Sequence, residues 1–418
     1  MAITERFPKS IQVSVSFYDP DEERKLLAYP TREMIQQVVS NPFEIPTSEF
    51  LTYYLFDRSR VSSKFYSDYR TIGRYIGDAL GEIRGFIDFN SNSICTSPAV
   101  DHPRRPVSQY IGESIGLSVV SRFHGLIEAD WVPITEGRLR TFDYQIASTG
   151  KEIIQVEAKG SSVEDNREQS PNVQMQKNRM DAKKNDLNIL KEQGKDPHPA
   201  DLRYGTITVI DPRQDGLLKC WLTDPDPEPI KETAERLRLL SRMKFLRDWI
   251  AFISPRSQFA SALTTRLGCL ENVRDPNELN GIQLKRTNGE PFVFAPMLVF
   301  GHEASFFANK SRIINGSAGG VVVKISNNEL FFLGIQEKLL ALAAKQNFAT
   351  ITGQTFSETT EDKEVECVFS LNRFRELGPM IPESISLGSS TKQYIRFSLK
   401  GQLHFNASGL VFGTLPLS

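Results

Sequence analysis

The sequence of 418 residues lacks an excess of charge of either sign, because 50 Lys and Arg residues are balanced by 51 Asp and Glu residues. Overall charge therefore cannot hold this protein on nucleic acid, and a polyanion would need a local cluster of cations. Cysteine is scarce as well. The four cysteines form no CxxC pair, which argues against a zinc knuckle, a thioredoxin-type site and a disulfide scaffold.

Long apolar runs are also absent. The longest, near 292–300, is interrupted by Pro296 and is much shorter than the ~18 residues of a membrane span. Residues 1–9 contain no apolar segment typical of a secretory signal. The five histidines have no metal-ligand spacing. We therefore expect a cytoplasmic protein that does not enter a membrane.

Turn and breaker segments divide the chain into four predicted regions. These are a mixed α+β region over 1–100, an α/β layer over 101–228, a basic helical segment over 229–278 and a β-rich domain over 279–418. The elements expected in the second region are a helix over 108–123, strands over 125–134, 138–147 and 151–159, a helix over 170–193, and strands over 204–210 and 217–222.

Two of these strands form a predicted hairpin that carries a distinctive set of charged residues. Asp143 alternates with apolar residues on the first strand, and Glu157 and Lys159 do so on the second. A three-residue loop over 148–150 aligns the two apolar faces and ends in a glycine, as such loops prefer. This register puts Asp143 opposite Gln155, with Glu157 diagonally about 7 Å away. Two carboxylates at that separation can share a divalent cation.

The pattern Asp143…Glu157-Ala158-Lys159 on a strand hairpin resembles the active site of the PD-(D/E)XK, or restriction-endonuclease-like, nuclease superfamily. The resemblance covers roughly 108–222 and implies a core with a central mixed β-sheet flanked by helices. It implies that Asp143, Glu157 and the Ala158 carbonyl bind Mg²⁺, with Mn²⁺ as an alternative. By the same resemblance, Lys159 is the catalytic lysine.

The resemblance also implies roles for residues outside the hairpin. Family members often add a glutamate from the preceding helix, and Glu113 stands at that place. Many carry a Gln or Lys on the following helix, where Gln174, Gln176 and Lys177 are the candidates, although an ordinary position on the helix surface is the favoured interpretation of Gln176. Phe142 stands where the literal motif has proline, which is a departure that the family tolerates.

Basic residues near this core are candidates for contacts with DNA phosphates. They are Arg104, Arg105, Lys177, Arg179, Lys183 and Lys184, together with the arginines of the helix expected over 230–253. We therefore expect a metal-dependent DNA endonuclease of restriction or anti-phage defence type, working with a protein partner or a second copy of itself. The alternatives are an RNA nuclease and a non-catalytic nucleic-acid-binding or interaction protein, in which the charged residues form exposed ion pairs on a solvated strand face.

A glycine-rich segment, GSAGG at 316–320, is similar to the serine loop of trypsin-like proteases. Ala318 occupies the position of the nucleophile, so an active protease is disfavoured. A glycine-rich turn between strands is the simpler interpretation, and a protease-like β fold used for binding is the alternative.

Overall fold

The computed structural model describes the chain except for residues 1–5, 58–68, 91–92, 97–104, 135–143, 149–150, 163–169, 197, 211–216, 224–233, 255–256, 293–310, 317, 371–393 and 418. The described part is mixed α/β and divides into two compact units. The first unit comprises Phe7–Ser59 and Leu80–Ser241, and the second comprises Met1–Arg6, Arg60–Ala79 and Arg242–Ser418. Among the described helices, none has the length and apolar character needed to cross a membrane.

A seven-stranded mixed sheet forms the centre of the first unit. The strands of this unit are β1 (Ser10–Phe17), β2 (Phe43–Pro46), β3 (Ile87–Asn90), β4 (Ser93–Thr96), β5 (Trp131–Pro133), β6 (Tyr144–Ser148), β7 (Glu152–Ser162), β8 (Leu202–Ile210) and β9 (Leu218–Thr223). The large sheet has the order β2-β1-β9-β8-β7-β6-β5, and β3 and β4 form a separate pair. β1 runs parallel to β9 and β7 runs parallel to β8, whereas the other neighbours are antiparallel.

Helices cover both faces of this sheet. The helices as far as α6 are α1 (Pro20–Leu26), α2 (Arg32–Ser40), α3 (Thr47–Thr52), α4 (Tyr69–Phe86), α5 (Arg105–His124) and α6 (Pro171–Glu192); α4 begins in the second unit and ends in the first. α5 lies on the face that carries Ala158, because a Cβ on Gly116 would be 3.0 Å from the Ala158 Cβ. α6 lies on the other face, where its Val173 and Met180 pack with Ile207 of β8. Alternation along β7 therefore puts Glu157 and Lys159 on the α6 side.

The strands β1 and β2 of the predicted N-terminal region belong to the large sheet of the first unit. The alternating sequence of β1 fits the predicted strand, but β1 pairs with β9, so the predicted boundary near residue 100 does not divide two folds. The predicted basic segment over 229–278 is likewise divided, since the two units meet in sequence between Ser241 and Arg242. Pairing of distant strands and packing of helices cannot be recognised from local composition, which explains why both predicted boundaries differ from the observed ones.

The second unit contains a closed six-stranded barrel with the strand order β10-β11-β12-β15-β14-β13. Its strands are β10 (Ser311–Ile313), β11 (Ala318–Lys324), β12 (Glu329–Gln336), β13 (Thr359–Ser370), β14 (Tyr394–Phe405) and β15 (Leu410–Pro416). The helices after α6 are α7 (Ala234–Ile253), α8 (Gln258–Asn272), α9 (Glu337–Lys345) and α10 (Phe348–Gly353). The expectation of a β-rich C-terminal region is confirmed.

The glycine-rich segment at 316–320 leads into the barrel strand β11. A Cβ on Gly320 would be 2.0 Å from the carbonyl oxygen of Leu333 on β12, so glycine is required there for close strand packing. Asn315, just before the segment, has a left-handed backbone with φ of 54°. These features explain the glycines by a turn and a packing contact, as the simpler interpretation of the sequence proposed.

The helix α5 and the strand β7 approach each other with almost no space between their backbones. A Cβ on Gly160, the residue after Lys159, would lie 1.7 Å from the Ser108 carbonyl oxygen, and a Cβ on Gly112 would lie 2.4 Å from the Gly160 nitrogen. Because both obstacles are backbone atoms, a side chain at either glycine forces the helix away from the strand.

Gly160→Ala is therefore expected to lower the free energy of unfolding by about 1–3 kcal/mol, through overpacking. The measurement is a urea titration followed by circular dichroism. Gly81→Ala on α4 is the control, since a Cβ there meets nothing within 4 Å and a helical alanine gains up to about 1 kcal/mol over glycine. Equal stability of the two variants would show that the close approach of α5 to β7 is absent.

Candidate active site

Glu157 lies in the middle of β7, and its side chain is completely buried. Two ammonium groups meet at its Oε1 atom. One is Lys159 Nζ from the same face of the strand, and the other is Lys183 Nζ from α6, at 2.6 Å. The two lysine side chains are 24% and 26% exposed, so the carboxylate lies inside the protein while both cations reach solvent.

The chain connection between β7 and β8 explains why Lys183 reaches this carboxylate. The two strands are parallel, so α6 between them must run in the opposite direction, and its middle passes over the middle of β7. Gly205 is the neighbour of Glu157 on β8, and a Cβ there would lie 2.8 Å from Met180 Sδ. The missing side chain lets Met180 pack onto the sheet, which brings Lys183, one turn later, to Glu157.

The electrostatics of this cluster favour the ionised carboxylate. A buried charge without a partner is strongly destabilising, and removal of one member of a buried pair commonly costs about 3–5 kcal/mol. Two lysines on one oxygen supply more positive charge than a single carboxylate needs for neutrality. Among the described contacts, two ammonium groups therefore face one carboxylate, and both lysine side chains reach solvent, which is an arrangement suited to an anionic ligand.

The hairpin register differs from the prediction. Gln145 faces Gln155 and Ser148 faces Glu152, so the predicted pairing of Asp143 with Gln155 is wrong. Both registers leave three residues in the loop and keep the apolar faces together, which is why alternation and loop length could not separate them. Asp143 itself lies outside the described residues.

Glu113 lies on α5, where it accepts a hydrogen bond of 2.9 Å from Gln109 Nε2. It follows Gly112, whose Cα packs directly on the backbone of Lys159 and Gly160. The main chain at Glu113 is thus held close to that of Lys159, although α5 covers the opposite face of the sheet. Its role as a site residue stays a prediction.

The two candidates on α6 are placed differently. Lys177 binds Glu22 Oε1 at 2.8 Å and Asp181 Oδ1 at 2.7 Å; burial opposes its charge, but these hydrogen bonds raise the pKa of Lys177 above its ordinary value. Its contacts with α1 account for its position without the carboxylate site. Gln176 lies two turns before Lys183 and so shares its side of α6. The helix geometry therefore favours Gln176 over Lys177 as the candidate on α6 that lies on the same side as Lys183 and hence near Lys159.

The structure gives little support to the predicted phosphate-binding residues. Lys184 is only 5% exposed, so its position is at odds with a contact to DNA, and Lys183 is bound to Glu157. Arg104 lies outside the described residues, as does the side chain of Arg105, which begins α5. The sequence reasoning missed the place of Lys183 in the cluster, and its two-turn spacing from Gln176 was the signal that could have found it.

Two arginines of α7 bind groups in the interior of the protein. Arg238 binds the buried carboxylate of Asp130 through Nε at 3.2 Å. Arg242 is 3% exposed and donates to the carbonyl oxygens of Ile351 and Gln354, both at 2.9 Å. The predicted DNA-binding face on this helix is therefore not available at these two positions.

A second polar cluster lies near the beginning of β7. The ring nitrogen Nε2 of His124 is 3.0 Å from the Tyr204 hydroxyl, and Nδ1 is 3.9 Å from Glu152. Burial lowers the pKa of His124 to about 4, so the ring is neutral at pH 7. Tyr204 is completely buried, which makes this cluster a structural connection between α5, β7 and β8.

The described residues include a suitable ligand for a divalent cation, but they do not provide enough ligands for a complete metal site. The Glu157 carboxylate is the hard oxygen ligand that Mg²⁺ prefers, and its Oε1 atom already holds cationic groups. Among the residues that the structure describes, which omit Asp143, no group of three or more His, Cys, Asp or Glu side chains could hold a metal ion. A complete site would therefore depend on Asp143 and on solvent.

No match was found among protein-family models, curated proteins or solved structures. Any assignment of class therefore rests on the described geometry: a mixed α/β fold with a buried glutamate and two lysines on one strand and its crossover helix.

Proposed function

We propose that this protein is a cytoplasmic, metal-dependent nuclease of the PD-(D/E)XK type, acting as a DNA endonuclease in restriction or anti-phage defence. The observation that carries the proposal is the buried Glu157 with Lys159 and Lys183 on one oxygen atom. The order of elements around it supports the proposal, since α5 and α6 cover opposite faces of the sheet and β8 runs parallel to β7.

The proposed site would hold Mg²⁺, or Mn²⁺, through Glu157, the Ala158 carbonyl and Asp143. Asp143 precedes Tyr144 in the sequence, and Tyr144 pairs with Val156, the residue before Glu157. Bound there, the metal would act as a Lewis acid on a phosphate oxygen. Glu157 would bind and orient the metal ion, and the burial of its side chain keeps competing water away from its carboxylate.

Lys159 is proposed to act on the reacting phosphate. Its ammonium group is partly exposed and is fixed by Glu157 at the edge of the buried site. A cation in that position orients the attacking water and offsets the negative charge that develops on the phosphoryl oxygens. Lys159 does so without a further conformational change, because its strand is fixed by β8 and by α5.

A cleavage assay with and without metal tests the proposal. Purified protein is incubated with plasmid DNA and, separately, with RNA of similar length, in Mg²⁺, in Mn²⁺ and in EDTA. We expect DNA cleavage that requires the metal and is lost in EDTA. Preferential cleavage of RNA would favour an RNA nuclease, and intact nucleic acid in every metal condition would contradict the proposed activity.

A non-catalytic nucleic-acid-binding or interaction protein is the second candidate. The observation in its favour is that Lys159 and Lys183 by themselves neutralise Glu157, so the cluster is explicable as an internal ion-pair network. Binding of Mn²⁺ separates the two candidates, since only the nuclease requires an affinity for the metal that depends on Glu157.

A further inference from the structure

We propose that Lys183 is a displaceable counter-ion, which occupies the cation position at Glu157 and leaves it when a divalent metal binds. This inference rests on the proposed nuclease function and concerns the regulation of the same site. Its basis is the 2.6 Å contact between Lys183 Nζ and Glu157 Oε1, the atom that also receives Lys159. A divalent cation that binds this carboxylate oxygen must compete with both ammonium groups.

Lys183 is the more easily displaced of the two. Lys159 lies on the same strand and the same face as Glu157, so the backbone of β7 keeps the two side chains together. Lys183 reaches the carboxylate from a helix at the end of a flexible four-carbon stem and is 26% exposed. Its ammonium group can therefore move into solvent by rotation of the side chain, without movement of α6.

Charge repulsion supplies the driving force for this displacement. A divalent ion that binds Glu157 would join the two ammonium groups already at its Oε1 atom, and repulsion between cationic groups is strong where water is excluded. Departure of Lys183 removes one positive charge and frees the oxygen atom. The freed ammonium group would remain beside the metal, where the oxygens of a phosphodiester would meet it.

The displacement therefore couples the metal to the substrate. A phosphate that binds the freed Lys183 favours the metal-bound state, and by linkage the metal favours phosphate binding to the same extent. Without nucleic acid, Lys183 returns to Glu157 and weakens metal binding. The proposed regulation thus limits tight metal binding to the complex with a phosphodiester backbone.

Mn²⁺ binding by the full-length protein, measured from the electron paramagnetic resonance signal of free Mn²⁺, tests the inference. Lys183→Met removes the competing charge and is expected to bind Mn²⁺ about 10- to 100-fold more tightly than the wild type, the range for loss of a charged hydrogen bond. Lys183→Arg keeps the charge and Lys191→Met changes an exposed lysine of the same helix; both are expected to stay within about threefold of the wild type.

The outcomes distinguish failure of this inference from failure of the proposed function. Wild-type binding that is lost in Glu157→Gln, together with unchanged or weaker binding by Lys183→Met, would refute the displacement but keep the metal site. Absence of any binding that depends on Glu157 would remove both proposals.

A second measurement uses only the wild type and does not depend on whether Lys183→Met folds. Acetylation of lysines is followed by mass spectrometry without and with saturating Mn²⁺. We expect the labelling rate of Lys183 to rise severalfold with Mn²⁺, while that of Lys177, bound to Glu22 and Asp181 on the same helix, stays constant. A Lys183 that is equally protected when Mn²⁺ is bound would overturn the inference.

Discussion

Lys159→Ala is expected to lower the rate of metal-dependent DNA cleavage by about 10²–10⁴-fold, the usual effect of removing a group that transfers a proton or stabilises charge in the transition state. The ammonium group of Lys159 is fixed against Glu157, and alanine removes it without a change in the backbone of β7. The measurement is the single-turnover rate of cleavage in saturating Mg²⁺, so that metal affinity does not enter the result.

Lys151→Ala is the matched control. Lys151 is exposed and directly precedes β7, so the variant loses one lysine of the same strand region without touching the cluster. It is expected to cleave at the wild-type rate. Full activity of Lys159→Ala, with an unchanged circular dichroism spectrum, would refute the role given to Lys159.

Arg203→Ala is expected to lower the free energy of unfolding by about 3–5 kcal/mol, as is typical when one partner of a buried ion pair is lost. Arg203 is 1% exposed, binds the buried carboxylate of Asp196 and donates from Nε to Gln155 Oε1 at 3.3 Å. Alanine leaves Asp196 buried without its guanidinium and leaves a space beside Gln155. The measurement is the urea midpoint of the first unit.

Arg179→Ala, an exposed arginine of α6, is the control and is expected to change the free energy of unfolding by less than about 0.5 kcal/mol. The Arg203 network also concerns the candidate site, because Gln155 lies two residues before Glu157 on the same face of β7. A stability of Arg203→Ala equal to that of Arg179→Ala would show that this network contributes nothing to the fold.

Local sequence patterns predicted the elements near the site well. The helix over 108–123, the hairpin and the helix over 170–193 correspond to α5, β6 with β7, and α6. Periodicity and turn residues depend on a few neighbouring positions in the chain. They predict these helices and strands because the helices and strands themselves depend on local sequence. The same signals did not fix the hairpin register, because alternation and loop length fit two registers and the preference for a final glycine favoured the one that is not observed.

Contacts between distant segments were the part that the sequence could not supply. Lys183 looked like a surface cation because its partner is 26 positions earlier in the chain, on a strand. Lys184, its neighbour, looked the same and is buried. Which side of a polar helix faces a sheet depends on the packing of residues such as Met180, and in a helix with many charged residues that side is not evident.

The place of β1 in the sheet has a consequence for how the chain folds. β1 at Ser10–Phe17 is inserted between β2 and β9, so its pairing waits until Leu218–Thr223 has been synthesised. Without β1, β9 has an open edge with the apolar residues Leu218 and Leu222, which are buried in the finished sheet. Non-local pairing of this kind slows folding, and an open apolar edge invites aggregation. A fragment limited to 101–228 would keep every described residue of the Glu157 cluster and still expose that edge, so we expect it to aggregate unless residues 7–59 are supplied.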